Sequence, residues 1–169
     1  MLRPRMPVLY FAYGANMCRD VFVRRRRIVP GSAEPAWLPE HQLVFALRGI
    51  PWLEPAFATV VPAPGEVVHG VLYAIEEADM RRLDRRESSR YARRDMIVRT
   101  GGGEFHAQLY VARHPTPGLR PSRRYRDLLL RGARDHGLPE AWVRRLEAQD
   151  CAHVPVLSDL TALVAELLG

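Results

Sequence analysis

Lysine is missing from this chain: all 25 basic residues are arginine, set against 19 acidic ones for a net charge of +6 and a pI near 10.0. So complete a bias reflects a GC-rich genome, read here as bacterial, more than selection for phosphate contacts. Gly101-Gly102-Gly103 has no Lys-Ser/Thr pair and no helix after it, which excludes a phosphate-binding loop and leaves a turn. Cysteine is scarce too. Cys18 and Cys151 lie far apart, form no disulfide framework, and are expected as reduced thiols. Cys18 sits near the first turn but has no convincing histidine partner in the local sequence, so it is not read as a nucleophile. No apolar run approaches the length of a membrane span, and the N-terminus lacks the apolar stretch of a signal peptide. A cytoplasmic protein with no membrane contact is expected. His41, His69, His106, His114, His136 and His153 are scattered, with no pair at ligand spacing, so no metal site is expected. Only His69 falls on a strand that reads as buried, where a core or pocket-wall role is expected.

What is present argues for one folded domain over residues 1–169. The length supports a hydrophobic core but not two comfortable domains, and 47% of residues are apolar. An apolar run climbs from Pro7 to Tyr13 and breaks at a small-residue turn, with Asn16 expected to cap a short helix near 17–24. The Pro/Gly-rich stretch 30–39 reads as loop. His41–Leu47 reads as a strand, residues 48–56 as a connecting loop with Trp52 to bury, and Ala56–Val61 as a strand stopped by Pro62. Val67–Ile75 is β-branched and continuous, as a buried strand would be. A helix is predicted from Glu77 to Arg86, then a hairpin joining Tyr91–Arg99 to Glu104–Arg113. The C-terminal third is helical. Ser122 caps a helix to about His136, ending at Gly137; Pro139 opens another to about Gln149, and Ser158 caps a last amphipathic one through Leu168. The order is strand-rich with one inserted helix: an α+β protein with a small mixed β-barrel and flanking helices.

Two features bear on chemistry. The turn after Tyr10-Phe11-Ala12-Tyr13-Gly14-Ala15 can present backbone N–H groups to an anionic or oxyanionic ligand. Glu87 ends the helix Leu83-Asp84-Arg85-Arg86-Glu87 and can point into a barrel mouth or into water. From local sequence alone the plain expectation is a solvated or paired carboxylate, with Asp84 and Arg90 near enough to take part in such pairs. Arg24-Arg25-Arg26-Arg27 is the one true basic cluster. It lacks interleaved aromatics and reads as a solvated surface, so nucleic acid is not expected as a partner.

The opening Tyr13-Gly14-Ala15-Asn16 resembles the YGSN signature of the γ-glutamylcyclotransferase family, with Ala15 in place of serine. Val67–Ile75 resembles the strand leading into that family's catalytic helix. Leu83-Asp84-Arg85-Arg86-Glu87, followed by Tyr91, resembles its LDxxE segment. Pro121-Ser122-Arg123-Arg124-Tyr125 is similar to its S-x-x-Y element, and Gly132–Pro139 to its GAxxxGLP linkage. These matches keep their order over residues 8–150 and leave the helix at 158–168 outside. They favour this branch over the glutathione-specific and γ-glutamylamine branches. The resemblance implies cyclisation of an L-γ-glutamyl group to 5-oxoproline with release of the attached amine, and it implies no cofactor and no metal. It makes Glu87 the general acid and base. It makes Tyr10, Phe11, Ala12, Tyr13, Gly14 and Ala15 the floor that holds the substrate through backbone donors, and Tyr125 the side chain that closes the pocket.

The partner implied is a small γ-glutamyl compound, and a homodimer is an option the sequence leaves open. Trp52-Leu53-Glu54-Pro55-Ala56 stands where relatives tend to carry glycines, which leaves the room for the leaving group undefined. Arg85, Arg86 and Arg90 crowd Glu87, and pairing with one of them would lower its pKa and weaken it as a base. Two alternatives remain. One keeps the mechanism but removes a γ-glutamyl protecting group from a specialised biosynthetic intermediate. The other is a barrel that binds an acidic small molecule or nucleic acid through its arginines without catalysis.

Overall fold

The computed structural model describes residues 6–87 and 89–154. The helix expected at Ser158–Leu168 lies outside them. Five strands, β1 (Val8–Ala12), β2 (Ser32–Ile50), β3 (Glu54–Ile75), β4 (Tyr91–Thr100) and β5 (Gly103–Ala112), close into a barrel in the order β1-β3-β2-β4-β5. All neighbouring pairs are antiparallel except β1 and β5, which meet in parallel at Tyr10 and Gln108. Helix α1 (Glu77–Glu87) joins β3 to β4, and α2 (Arg123–Asp135) and α3 (Glu140–Glu147) follow the barrel.

The barrel interior is filled by alternate strand residues such as Leu38, Val60, Val68, Val98, Ala107 and Leu109, all buried. Helix α1 docks through Met80 and Leu83, a spacing of three residues that puts both on one face. Ser122 caps α2 as expected, its hydroxyl accepting the Tyr125 N–H at 3.0 Å. Gly137 follows α2 with φ of +65°.

Three expectations about the strands need correction. Residues 32–39 are strand and not loop: Ser32 to Pro39 pair in register with Ala74 to Val67. The prolines are accommodated because this length of β2 meets β4 only at Trp37, and because Pro39 abuts a bulge where Glu40 takes φ of +59°. Pro62 does not end a strand either. It pairs with His41 beside the same bulge, so that Ala56–Val61 and Val67–Ile75 are two parts of one 22-residue strand. The loop expected at 48–56 narrows to a turn at 51–53, because Arg48 pairs with Ala56 and Ile50 with Glu54, and Trp52 is not buried but 69% exposed at the tip of this β2–β3 hairpin.

The expected short helix is also of another kind. Ala15–Met17 is a 3-10 turn and Asp20–Arg25 a π-helical segment. Asn16 caps neither; it is buried inside the first turn. That turn is pressed against α2 at Gly132, where an added Cβ would lie 2.6 Å from the Met17 Cβ and 2.7 Å from its carbonyl carbon. Only glycine permits the approach. Gly132→Ala is therefore expected to destabilise the protein by about 1–3 kcal/mol through overpacking, read as a lowered midpoint in urea unfolding.

Candidate functional site

β1 delivers Tyr10 and then the turn at Tyr13–Asn16 to one end of the barrel, α1 delivers Glu87 to the same end, and the first turn of α2 delivers Tyr125. These residues line a common cavity of about 500 Å³, with Asn16, Arg25, Arg26, Glu54, Phe57, Ala58, Arg86, Arg90, Tyr91, Tyr110 and Arg124 among its walls. Of the residues expected to form the site, Tyr10, Tyr13, Gly14, Ala15, Glu87 and Tyr125 are thus brought together. Phe11 and Ala12 are not. Both are buried within the barrel, where the Phe11 ring and the Ala12 carbonyl close over Gly70, so direct contact with a ligand is replaced by support of the floor.

Glu87 is neither solvated nor paired with an arginine of its own segment. Its side chain is 17% exposed, and Oε1 lies 3.2 Å from a terminal nitrogen of Arg26, itself 20% exposed. Burial pushes the carboxyl above its ordinary value of 4.5, while Arg26, then Arg90 and Arg86, pull it back only in part. Asp84, one turn earlier, has a separate task. It accepts the Tyr110 hydroxyl at 2.8 Å and pairs with Arg93 at 2.9 Å, fastening α1 to the β4–β5 hairpin.

Arg26 is in turn held by Asn16. Its Nε donates to Asn16 Oδ1 at 2.5 Å, and Asn16 Nδ2 donates to the Tyr10 hydroxyl at 2.8 Å. The connection runs from β1 to the carboxylate without a gap: Tyr10, Asn16, Arg26, Glu87. Arg26 belongs to the run expected to be a solvated surface, and its neighbours Arg24, Arg25 and Arg27 are indeed exposed. The sequence signal was available: Arg26 falls four residues after Phe22, which is fully buried, on the same helical face. Asn16, expected as a cap, was otherwise marked only as the last residue of the opening motif.

Tyr125 hangs over the turn. Its hydroxyl accepts the Ala58 N–H at 3.2 Å, and a Cβ on Gly14 would come within 3.2 Å of the same oxygen. Phe57 packs edge-on against its ring at 5.2 Å. Burial pushes the phenol up to about 12, with backbone hydrogen bonds at Ala58 and Ala15 acting the other way, so the group keeps its proton at neutral pH. Tyr13 donates to the Tyr110 carbonyl and Tyr91 to the Ala58 carbonyl, at 2.8 Å for the latter. On another wall, Glu54 is buried, accepts the Ser122 hydroxyl and pairs with Arg124 at 3.2 Å. Arg90 lies over the Phe57 ring and donates to the Arg48 carbonyl.

Elsewhere, His69 is half-buried between Trp37 and Trp142, belonging neither to the buried core nor to the cavity wall expected of it, and burial lowers its pKa. Cys18 is buried. Among the described residues, no helix is long and apolar enough to cross a membrane, and no cluster of three His, Cys, Asp or Glu side chains is positioned to hold a metal ion.

Residues 10–130 match the family model described as Gamma-glutamyl cyclotransferase, AIG2-like. The chain is 30% identical over 146 residues to the Gamma-glutamyl cyclotransferase gliK of Claviceps purpurea, an alignment covering 79% of this chain and 66% of that protein. It therefore spans slightly less than two thirds of the length of that relative. It is 28% identical over 150 residues to the Gamma-glutamylcyclotransferase of Homo sapiens, covering 83% and 77%. A solved structure titled Gamma-glutamyl cyclotransferase superposes with a TM-score of 0.75 at 26% identity, covering 86% of this chain and 89% of that one. The curated relatives are fungal and mammalian, and lend no support to the bacterial source expected from the arginine bias.

The network predicts a stability effect of its own. Asn16→Ala leaves the buried Tyr10 hydroxyl and Arg26 Nε each short of a partner and should cost about 1–3 kcal/mol, measured by denaturant unfolding with the unchanged slope that marks a local loss.

Proposed function

The chain belongs to the gamma-glutamyl cyclotransferase, AIG2-like family, and from that premise we propose that it cyclises an L-γ-glutamyl amino acid or amine to 5-oxoproline, with Glu87 as general base and then general acid. The single observation that carries the proposal is the half-buried Glu87 carboxylate opening into the same cavity as the Tyr13–Asn16 turn and Tyr125.

The chemistry follows from the needs of the substrate. Its α-nitrogen is protonated near neutral pH and cannot attack. Glu87, raised by burial above an ordinary carboxylate, is matched to remove that proton. The freed nitrogen then attacks the substrate's own γ-carbonyl carbon, forming the ring C–N bond and placing negative charge on the carbonyl oxygen. Tyr125 keeps its proton and accepts the Ala58 N–H, which leaves its O–H to donate to that oxygen. The Ala15 backbone already bonds Tyr125 and the Met17 N–H bonds the Gly14 carbonyl, so any further donor from the turn would be another of its N–H groups. Collapse breaks the original amide bond. Two protons leave the α-nitrogen in all, both end on the departing amine, and Glu87 returns to its carboxylate form. A cavity of this size holds the γ-glutamyl chain folded on itself, an orientation effect able to supply several kcal/mol of the barrier. Ala15 offers no hydroxyl, so the turn acts through its backbone.

Two free thiols, one of them buried, agree with a reducing cytoplasmic setting. One observation favours the second reading, release of a γ-glutamyl group from a specialised intermediate. Ile50, Trp52 and Leu53 form an exposed apolar tip next to Glu54, a residue of the cavity wall. Turnover that rises from amino-acid to bulky apolar leaving groups supports that reading, and the opposite order removes it.

Incubation of the purified protein with γ-glutamyl dipeptides should yield 5-oxoproline; none across a panel of leaving groups, with folded protein, sinks the proposal. Glu87→Gln should lower kcat by roughly 100-fold or more, the scale of a lost general base, with the fold intact. The pH dependence has a definite sign. Only the ionised form of Glu87 accepts a proton, so kcat/KM rises as pH climbs through its raised pKa, and the acid limb should lie above 4.5.

A further inference from the structure

Glu87 and Arg26 are an anion and a cation side by side, both largely shielded from water and both on the wall of one cavity. A γ-glutamyl group carries its α-ammonium and its α-carboxylate on the same carbon, so the two charges that receive them must themselves be neighbours. Accepting the cyclisation proposed above, we infer that Arg26 binds the substrate α-carboxylate while Glu87 binds the α-ammonium, making the ion pair a template for an unblocked amino-acid head.

Several observations single out Arg26 from the other cavity arginines. Arg25, Arg86, Arg90 and Arg124 are exposed, while Arg26 is half-buried and close to Glu87. Arg124 is engaged by Glu54, and Arg90 by the Arg48 carbonyl and the Phe57 face. The Nε of Arg26 is fixed by Asn16, and its own carbonyl is tied to Arg82 at 2.6 Å, so the guanidinium is oriented before any ligand arrives. Five N–H donors in a planar fork are enough to hold Asn16, Glu87 and a ligand carboxylate together. With the α-carboxylate on Arg26, the Tyr125 hydroxyl and the turn are left for the charge that develops on the γ-carbonyl oxygen.

The arrangement also ties recognition to base strength. In the empty site Arg26 is the strongest of the charges opposing the rise of the Glu87 pKa. A ligand carboxylate that shares the guanidinium weakens that restraint, and Glu87 becomes a better proton acceptor as the substrate settles.

The test pairs two substrates with two enzymes. L-γ-glutamyl-glycine is compared with the same compound carrying an α-carboxamide, for the wild type and for Arg26→Gln. The wild type should prefer the free acid by roughly 10- to 100-fold in kcat/KM, the scale of a hydrogen bond to a charged group. Arg26→Gln should lose most of that preference, because the loss of one partner makes the loss of the other nearly free. A variant that slows both substrates equally and keeps the preference overturns the inference, since Arg26 then only positions Glu87. Should Arg26→Gln fail to fold, Arg26→Lys keeps the charge without the fork and should reduce the preference; an undiminished preference there likewise overturns it. Calorimetric titration with 5-oxoproline and its carboxamide separates this inference from the functional one. Wild-type protein should bind the acid in preference and Arg26→Gln should not discriminate, while equal wild-type affinity, or no binding of either compound, overturns the Arg26 assignment whatever the turnover. Absence of turnover with discrimination by binding intact would overturn the cyclisation alone.

Discussion

Five strands close into a barrel here only because β1 meets β3 along one side and β5 along the other, the second contact being parallel and centred on Tyr10 and Gln108. A sheet this small, left open, would expose the inner faces of β3 and β5 and two unpaired edges. The closing strand is also the one that runs into the turn at Tyr13–Asn16, so the seal of the core and the floor of the cavity are one piece of chain. Tyr10 shows the economy of this. Its ring stacks on Phe22 and Tyr73 in the core, and its hydroxyl receives Asn16 at the start of the polar network.

The electrostatics of the site rest on a competition that burial wins. Three arginines act on Glu87, and by charge alone they would hold it well down. The carboxylate nonetheless sits above its ordinary value, because the aromatic walls of Tyr10, Tyr13, Tyr91 and Tyr125 exclude the water that would stabilise its charged form. A more exposed glutamate with the same three neighbours would be a weaker base.

The sequence made some of this legible and hid the rest, along a clear physical line. Local patterns were read correctly where a single element carries the information: the Ser122 cap, the span of α1, the tight β4–β5 hairpin, and the placing of Glu87 at a helix end. The prolines at 35, 39 and 62 misled, because whether a proline breaks a strand depends on which edge of the ladder it faces and on a bulge at Glu40 that only pairing reveals. Arg26 escaped for the opposite reason. It lies in a run of four arginines whose other members are exposed, and its partner is separated from it by two strands and a helix. The resemblance to a known family pointed to residues that the fold gathers on one cavity, and long-range packing adds the Arg26–Asn16 pair, of which only the spacing of Arg26 from Phe22 was visible locally.

Every cation on the cavity wall is a guanidinium, which stays protonated and is not a nucleophile at any pH proteins meet. An ammonium in a half-buried cavity sheds its proton readily and becomes an amine able to attack an acyl carbon. On the chemistry proposed for this cavity, the γ-carbonyl therefore meets one amine before the bond breaks: the nitrogen of the same molecule. A lysine at any of these five positions would offer a rival acceptor and a route to an isopeptide on the enzyme's own surface. A wall whose cations are all arginines is complementary in charge to an acidic ligand while offering it no amine as a rival acceptor.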